Sequence, residues 1–154
     1  MMMSILLIAL AAWAAAPPSD PSGFHFWTQS DLNGLENALA PQMDSHKFKS
    51  DTLAKAGNHR FMAVHREATG EAEYHATEDD IVFVTSGSGT LVYGGTMVNA
   101  RNTAPNEMRA DSITSGMEKK VSPGDVITIP AKLPHQMTLE PGKQLNYFVV
   151  KVTE

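Results

Sequence analysis

Two histidines, His75 and His135, stand close in sequence to residues whose types could do chemistry with them. His75 lies in Gly70-Glu71-Ala72-Glu73-Tyr74-His75-Ala76-Thr77-Glu78-Asp79-Asp80, and His135 closes a stretch from Pro123 through Gly124, Asp125 and Pro130. Side chains of a strand alternate faces, so Glu73, His75 and Thr77 share one face while Tyr74 and Ala76 take the other. Asp79 and Asp80 are adjacent and point to opposite faces, so only one of them can join that constellation. The chain has no cysteine. That excludes disulfides, thiolate nucleophiles and cysteine-ligated zinc or iron–sulfur sites, and leaves histidines and carboxylates as the strong metal ligands. Ser86 and Ser88 have no nucleophile–base spacing to a histidine, so no hydrolase triad is expected.

Other residues carry weaker signals. His65 precedes Gly70 on an apolar run and is a candidate for a cavity wall, with core packing as the alternative; Met137 stands in the same position. His25, His46 and His59 read as surface residues. Gly87 and Gly89 resemble a phosphate loop only superficially, since no helical pattern follows; they read as a hairpin turn with positive φ.

The elements that must position these residues are strands. Apolar runs over Arg60–Arg66, Ala72–Thr77, Ile81–Thr85, Thr90–Tyr93, Asp125–Ile129, His135–Leu139 and Gln144–Val152 are each bounded by turn signals such as Thr69-Gly70, Gly94-Gly95, Pro123-Gly124 and Pro141-Gly142. Short strands at that spacing predict a β-sandwich or barrel. Ahead of them, Ser30 is placed as the cap of a short helix over Asp31–Ala40, with Pro41 near its end. The weakly patterned stretch from Val98 to Thr114 reads as a long loop.

The two histidine-bearing segments resemble the two sequence motifs of the cupin superfamily, small jelly-roll barrels. Gly70, His75, Asp80 and Gly87 match the frame of the first motif; Gly124, Asp125, Pro130 and His135 match the second. The resemblance covers about residues 58–152. Thr77 stands where a metal-binding cupin has its second histidine, Asp80 replaces the usual Glu, and Lys132 replaces the usual Gly of the second motif. The resemblance implies an all-β double-stranded β-helix barrel with a short N-terminal helix, in which His135 points from a neighbouring strand into the cavity that holds His75. Two imidazoles with Glu73 or Asp80 would then make a three-ligand site for a divalent transition metal, Fe, Zn, Mn or Ni. Glu73 or Asp80 would serve as ligand or general base, and Thr77, His65 and Met137 would line the substrate cavity. The alternative is a pair of interior histidines hydrogen-bonded to a carboxylate, without metal.

Composition narrows the partners. Seventeen acidic against twelve basic residues leave a net charge of −5 with no basic run, which argues against nucleic acid and anionic membrane surfaces. Ile5 to Ala16 read ILLIALAAWAAA, uncharged, too short to span a bilayer and of the length of a secretory h-region. Export to the periplasm or medium, with residues 1–16 as signal peptide and no membrane attachment after processing, is therefore expected. Residues 17–57 then form a linker and N-terminal extension, and 58–154 the barrel. Three readings follow: a metal-dependent enzyme acting on a small organic molecule, a metal-free cavity that binds such a molecule or transfers protons, and a non-catalytic barrel that assembles through sheet edges. A homodimer is expected, since small cupins commonly pair in this way.

Overall fold

The computed structural model describes residues 19–154, so the expected signal peptide lies outside the described residues. The chain enters through helix α1 (Gln29–Leu39) and then runs almost entirely as strands: β1 (Phe48–Ala56), β2 (His59–Arg66), β3 (Ala72–His75), β4 (Glu78–Gly87) and β5 (Gly89–Tyr93). Four short strands follow, β6 (Thr96–Val98), β7 (Arg101–Ala104), β8 (Glu107–Ala110) and β9 (Ser112–Thr114). The last four are β10 (Met117–Val121), β11 (Val126–Ile129), β12 (His135–Thr138) and β13 (Leu145–Thr153). A five-stranded sheet in the order β1-β2-β13-β4-β11 faces a six-stranded sheet in the order β10-β5-β12-β3-β8-β7, the two layers of a jelly roll, with β6 and β9 as a separate ribbon.

Alternation along β13 shows how the sequence makes two layers. Leu145, Tyr147, Val149 and Lys151 face the barrel interior, and Phe148 and Val150 face the outer side. At one end the interior is an apolar core of Val82, Leu91, Ile129, Met137 and Leu145. Leu145 is fully buried, and each such side chain contributes about 1.5–3 kcal/mol of transfer free energy. At the other end the same faces carry polar side chains and the barrel is open.

The seven expected strands all form, as β2, β3, β4, β5, β11, β12 and β13. The expected hairpin at Gly87–Gly89 does not form, since β4 and β5 lie in different sheets, and of the two glycines a positive φ is found at Gly87 alone. Its φ is +78°, and a Cβ there would lie 2.0 Å from the carbonyl oxygen of Gln144.

Three further features differ from expectation. The helix begins at Gln29, and its cap is Thr28 rather than Ser30. Asp31 N–H donates to the Thr28 hydroxyl at 3.1 Å while the Asp31 carboxylate accepts from Thr28 N–H at 2.8 Å, a reciprocal capping box. Val98–Thr114 is not a loop but holds β7, β8 and β9. Strands of three or four residues are too short to show an alternation, and pairing of β8 with β3 and β7, and of β9 with β6, is what holds them. Finally, Phe48–Ala56, in the expected N-terminal extension, is the edge strand of the five-stranded sheet, paired with β2 from Phe48↔Arg66 to Ala56↔His59.

Candidate active site

Five strands bring one polar cluster to the open end of the barrel. β3 supplies Glu73 and His75, β4 Asp80, β12 His135, β13 Lys151, and β8 Glu107 and Arg109. His75 is central and buried. Its Nδ1 lies 2.8 Å from both carboxylate oxygens of Glu107, and its Nε2 faces Lys151 Nζ at 2.8 Å. Lys151 also donates to Asp80 Oδ1 at 2.5 Å. Around the same Nε2 stand Glu73 Oε2 and Asp80 Oδ2, each at 3.5 Å. His135 donates from Nδ1 to the Leu133 carbonyl at 3.0 Å and presents Nε2 to Asp80 Oδ2 at 3.6 Å.

Arginines close the cluster on its other side. Arg109 reaches Glu107 at 3.1 Å and Glu73 at 3.4 Å. Arg66 donates to the Tyr147 hydroxyl at 2.8 Å and lies over the Phe48 ring, 5.1 Å from its centroid. The Arg66 guanidinium packs so closely on Gly70 that a Cβ there would meet Nη1 at 1.9 Å. Above the cluster opens a cavity of about 860 Å³, which Glu73, His75, Thr77, Asp80, Glu107 and Lys151 help to line.

Electrostatics follow from these contacts. Burial opposes ionisation of Asp80, but His135, His75 and Lys151 outweigh it and hold the carboxyl far below its usual range. Burial likewise works against Glu73, which His75, Arg109, His135 and Arg66 keep ionised well below the ordinary value. His75 is disfavoured as a cation by burial and by Lys151, yet Asp80 and Glu73 prevail and push it up to about 9. At 2.8 Å only one hydrogen fits between His75 Nε2 and Lys151 Nζ. The carboxylates of Glu73, Asp80 and Glu107 are thus balanced by Arg66, Arg109 and the His75–Lys151 pair.

The expected constellation is therefore assembled: Glu73, His75, Asp80 and His135 converge, and Thr77 lines the cavity. Glu73 and Asp80 both reach the cluster, while Asp79 points the other way and accepts the Ala131 N–H at 2.7 Å. His65 and Met137 do not line the cavity. His65 sits on the opposite face of β2, bonded through Nδ1 to Asn146 Oδ1 at 2.6 Å, because its neighbours Val64 and Arg66 occupy the interior phase of that strand. Met137 belongs to the apolar core. Sequence reasoning missed Lys151, Glu107, Arg66 and Arg109. Lys151 had a signal, as the one charge inside the apolar run Leu145–Val152; Glu107 and Arg109 had none, lying in an unpatterned stretch.

A divalent cation, which this fold implies, is tested by the same geometry. Ligand atoms of Glu73, His75 and His135 lie within 4.8 Å of one another, a candidate metal-holding group. The Nε2 of His75 would be its first ligand at about 2.0–2.1 Å, but that nitrogen already faces the Lys151 amine. With Lys151 in this place Glu73, His75 and His135 do not fit a divalent cation, and in the second candidate group, His75, Glu78 and Glu107, the donors are already taken by each other, Arg60 and Arg109.

A two-layer jelly roll with a polar cavity lined from both sheets defines a class of small β-barrel that houses its site inside. The family model described as Cupin matches residues 28–152, and the chain belongs to the cupin family. Solved structures agree on the fold. The polyketide cyclase RemF from Streptomyces resistomycificus is 22% identical with a TM-score of 0.51, aligned over 70% of this chain and 66% of that one. A cupin-2 domain protein from Rhodospirillum rubrum is 15% identical with a TM-score of 0.52, over 71% of this chain and 62% of its own. KdgF from a Halomonas species is 17% identical with a TM-score of 0.50, over 70% and 82%. No curated protein matches the sequence.

Proposed function

We propose that this cupin binds a small polar organic molecule in its cavity and transfers a proton to an oxygen of that molecule from the His75–Lys151 pair, without a divalent metal. The placement of Lys151 carries this reading. Beyond the one hydrogen it shares with His75 and the N–H it gives to Asp80, Nζ keeps one N–H for a ligand in the cavity that Lys151 lines. Glu107 holds the His75 ring by Nδ1, as the third member of a triad orients its base. Glu73 and Asp80 are too weakly basic, held below the ordinary carboxylate range, to be efficient proton acceptors near neutrality. Their part is to anchor the cation, in place of the general-base role expected for them. The free donor and the polar walls suit a ligand with carbonyl, carboxylate or hydroxyl oxygens.

Screening sugars, sugar acids and oxo acids by thermal shift, with and without a strong chelator, tests this. Hits are expected to persist in chelator and to disappear in Lys151→Gln. Binding abolished by chelator and restored by added metal would overturn it.

A second reading, a divalent-metal enzyme holding Fe, Zn, Mn or Ni, is favoured by the convergence of Glu73, His75 and His135; it requires Lys151 to withdraw. Export is supported by the apolar leader Ile5–Ala16, and no helix among the described residues is long and apolar enough to cross a membrane. A homodimer is supported by Phe83 and Val126, cross-strand partners that lie exposed on one face of the five-stranded sheet.

A further inference from the structure

Lys151 has a consequence beyond proton transfer. We propose that it is the resident cation of this barrel: its ammonium, part of the chain, engages His75 and Asp80, two of the four groups (with Glu73 and His135) that would otherwise gather a divalent metal. The inference rests on the metal-independent reading above.

Four observations carry it. Lys151 Nζ lies within hydrogen-bond distance of His75 and Asp80, at 2.8 and 2.5 Å. Three of the four converging groups, Glu73, His75 and His135, already hold their ligand atoms within 4.8 Å of one another. The side chain of Lys151 is 9% exposed and that of Asp80 8%, so bulk water cannot stand in for either charge. Lys151 also shares its phase on β13 with Tyr147 and Val149, all three lining the cavity, so the strand aims it inward as firmly as its apolar neighbours. Two imidazoles and two carboxylates with the ammonium removed are a ligand set suited to zinc or manganese, and the local charge then favours a cation.

The expected result is that removing the amine turns a metal-free barrel into a metal site. Wild type, Lys151→Met and Lys151→Gln would be purified without a histidine tag, incubated with Zn²⁺ or Mn²⁺ alone, freed of excess ion and assayed for bound metal, with circular dichroism to monitor folding. Wild type is expected to retain none. Each variant should retain about one ion per chain, lost again when His75→Ala is added, and zinc should raise the thermal midpoint of the variants and not of wild type.

Folded variants that stay metal-free at saturating zinc overturn this inference and leave the metal-independent reading standing. A wild type that retains an ion, lost in His75→Ala, overturns both. Should neither variant fold alone, refolding with zinc decides: recovery of the β spectrum supports the inference, and failure to recover it overturns it.

Discussion

Lys151 Nζ and Asp80 Oδ1 meet at 2.5 Å across neighbouring strands, in direct register, with both side chains almost out of solvent. Such a pair matters most through what is left when half of it is removed. Lys151→Met leaves the Asp80 carboxylate buried opposite an apolar chain and is expected to lower stability by about 3–5 kcal/mol. Lys151→Met combined with Asp80→Asn should recover part of that loss, because no uncompensated charge remains. Urea unfolding of the two single variants and the double gives the coupling energy; additive losses would show that the pair does not act as a unit.

Stability should have a window in pH. His75 rises from 6.5 to about 9 on folding; a raised group stabilises fully below its unfolded value, and that contribution is lost as pH climbs through 9. Asp80 and Glu73 are depressed from 3.8 and 4.5; depressed groups stabilise above those values and lose the contribution as pH falls below them. Urea midpoints are thus expected to be highest between about pH 5 and 6.5. They should decline on both sides, with the alkaline decline flattened in His75→Gln. An unaltered alkaline decline in that variant would assign it to another group.

Gly70→Ala should be disproportionately harmful for a surface-turn substitution. The new Cβ would meet Arg66 Nη1 at 1.9 Å, and that guanidinium is pinned between the Phe48 and Tyr147 rings. A loss of about 1–3 kcal/mol is expected, together with weaker ligand binding as Arg66 is driven toward the cavity. Calorimetric unfolding and the thermal-shift hits measure the two effects separately.

Lys132→Gly should stabilise the barrel. Lys132 has a φ of +66°, at the position where the second cupin motif usually carries glycine, and its N–H donates to the His75 carbonyl at 2.7 Å. The left-handed conformation is disfavoured by roughly 1–2 kcal/mol for a residue with a Cβ. Part of that returns as a higher unfolding midpoint, offset by the greater freedom of glycine in the unfolded chain. No gain, or a loss, would mean that the Lys132 side chain, though exposed, contributes packing that glycine lacks.

The jelly roll was legible because its strands announce themselves locally. The run from Gln144 to Val152, the turn at Gly87 and the Gly124-Asp125 turn each carry their own conformational preference, and the alternation of Glu73, His75 and Thr77 put all three on the cavity side, as the pleat requires. The same period, applied to Asp79 and Asp80, separated them correctly. It could not place His65, because a strand buried on both faces does not say which is the interior; pairing with Asn146 under the helix settled that. Nor could it find β7, β8 and β9, which at three or four residues are too short to show a period.

What the residues determined alone was the fold class and the convergence of two histidines with one carboxylate, Glu73 or Asp80, since both depend on short-range backbone preferences and on two motifs. What only the tertiary structure decided was the cation at the centre. Lys151 and Glu107 lie 71 residues beyond Asp80 and 32 beyond His75, so no local pattern relates them to either. Their charges become partners only when five strands close around one cavity.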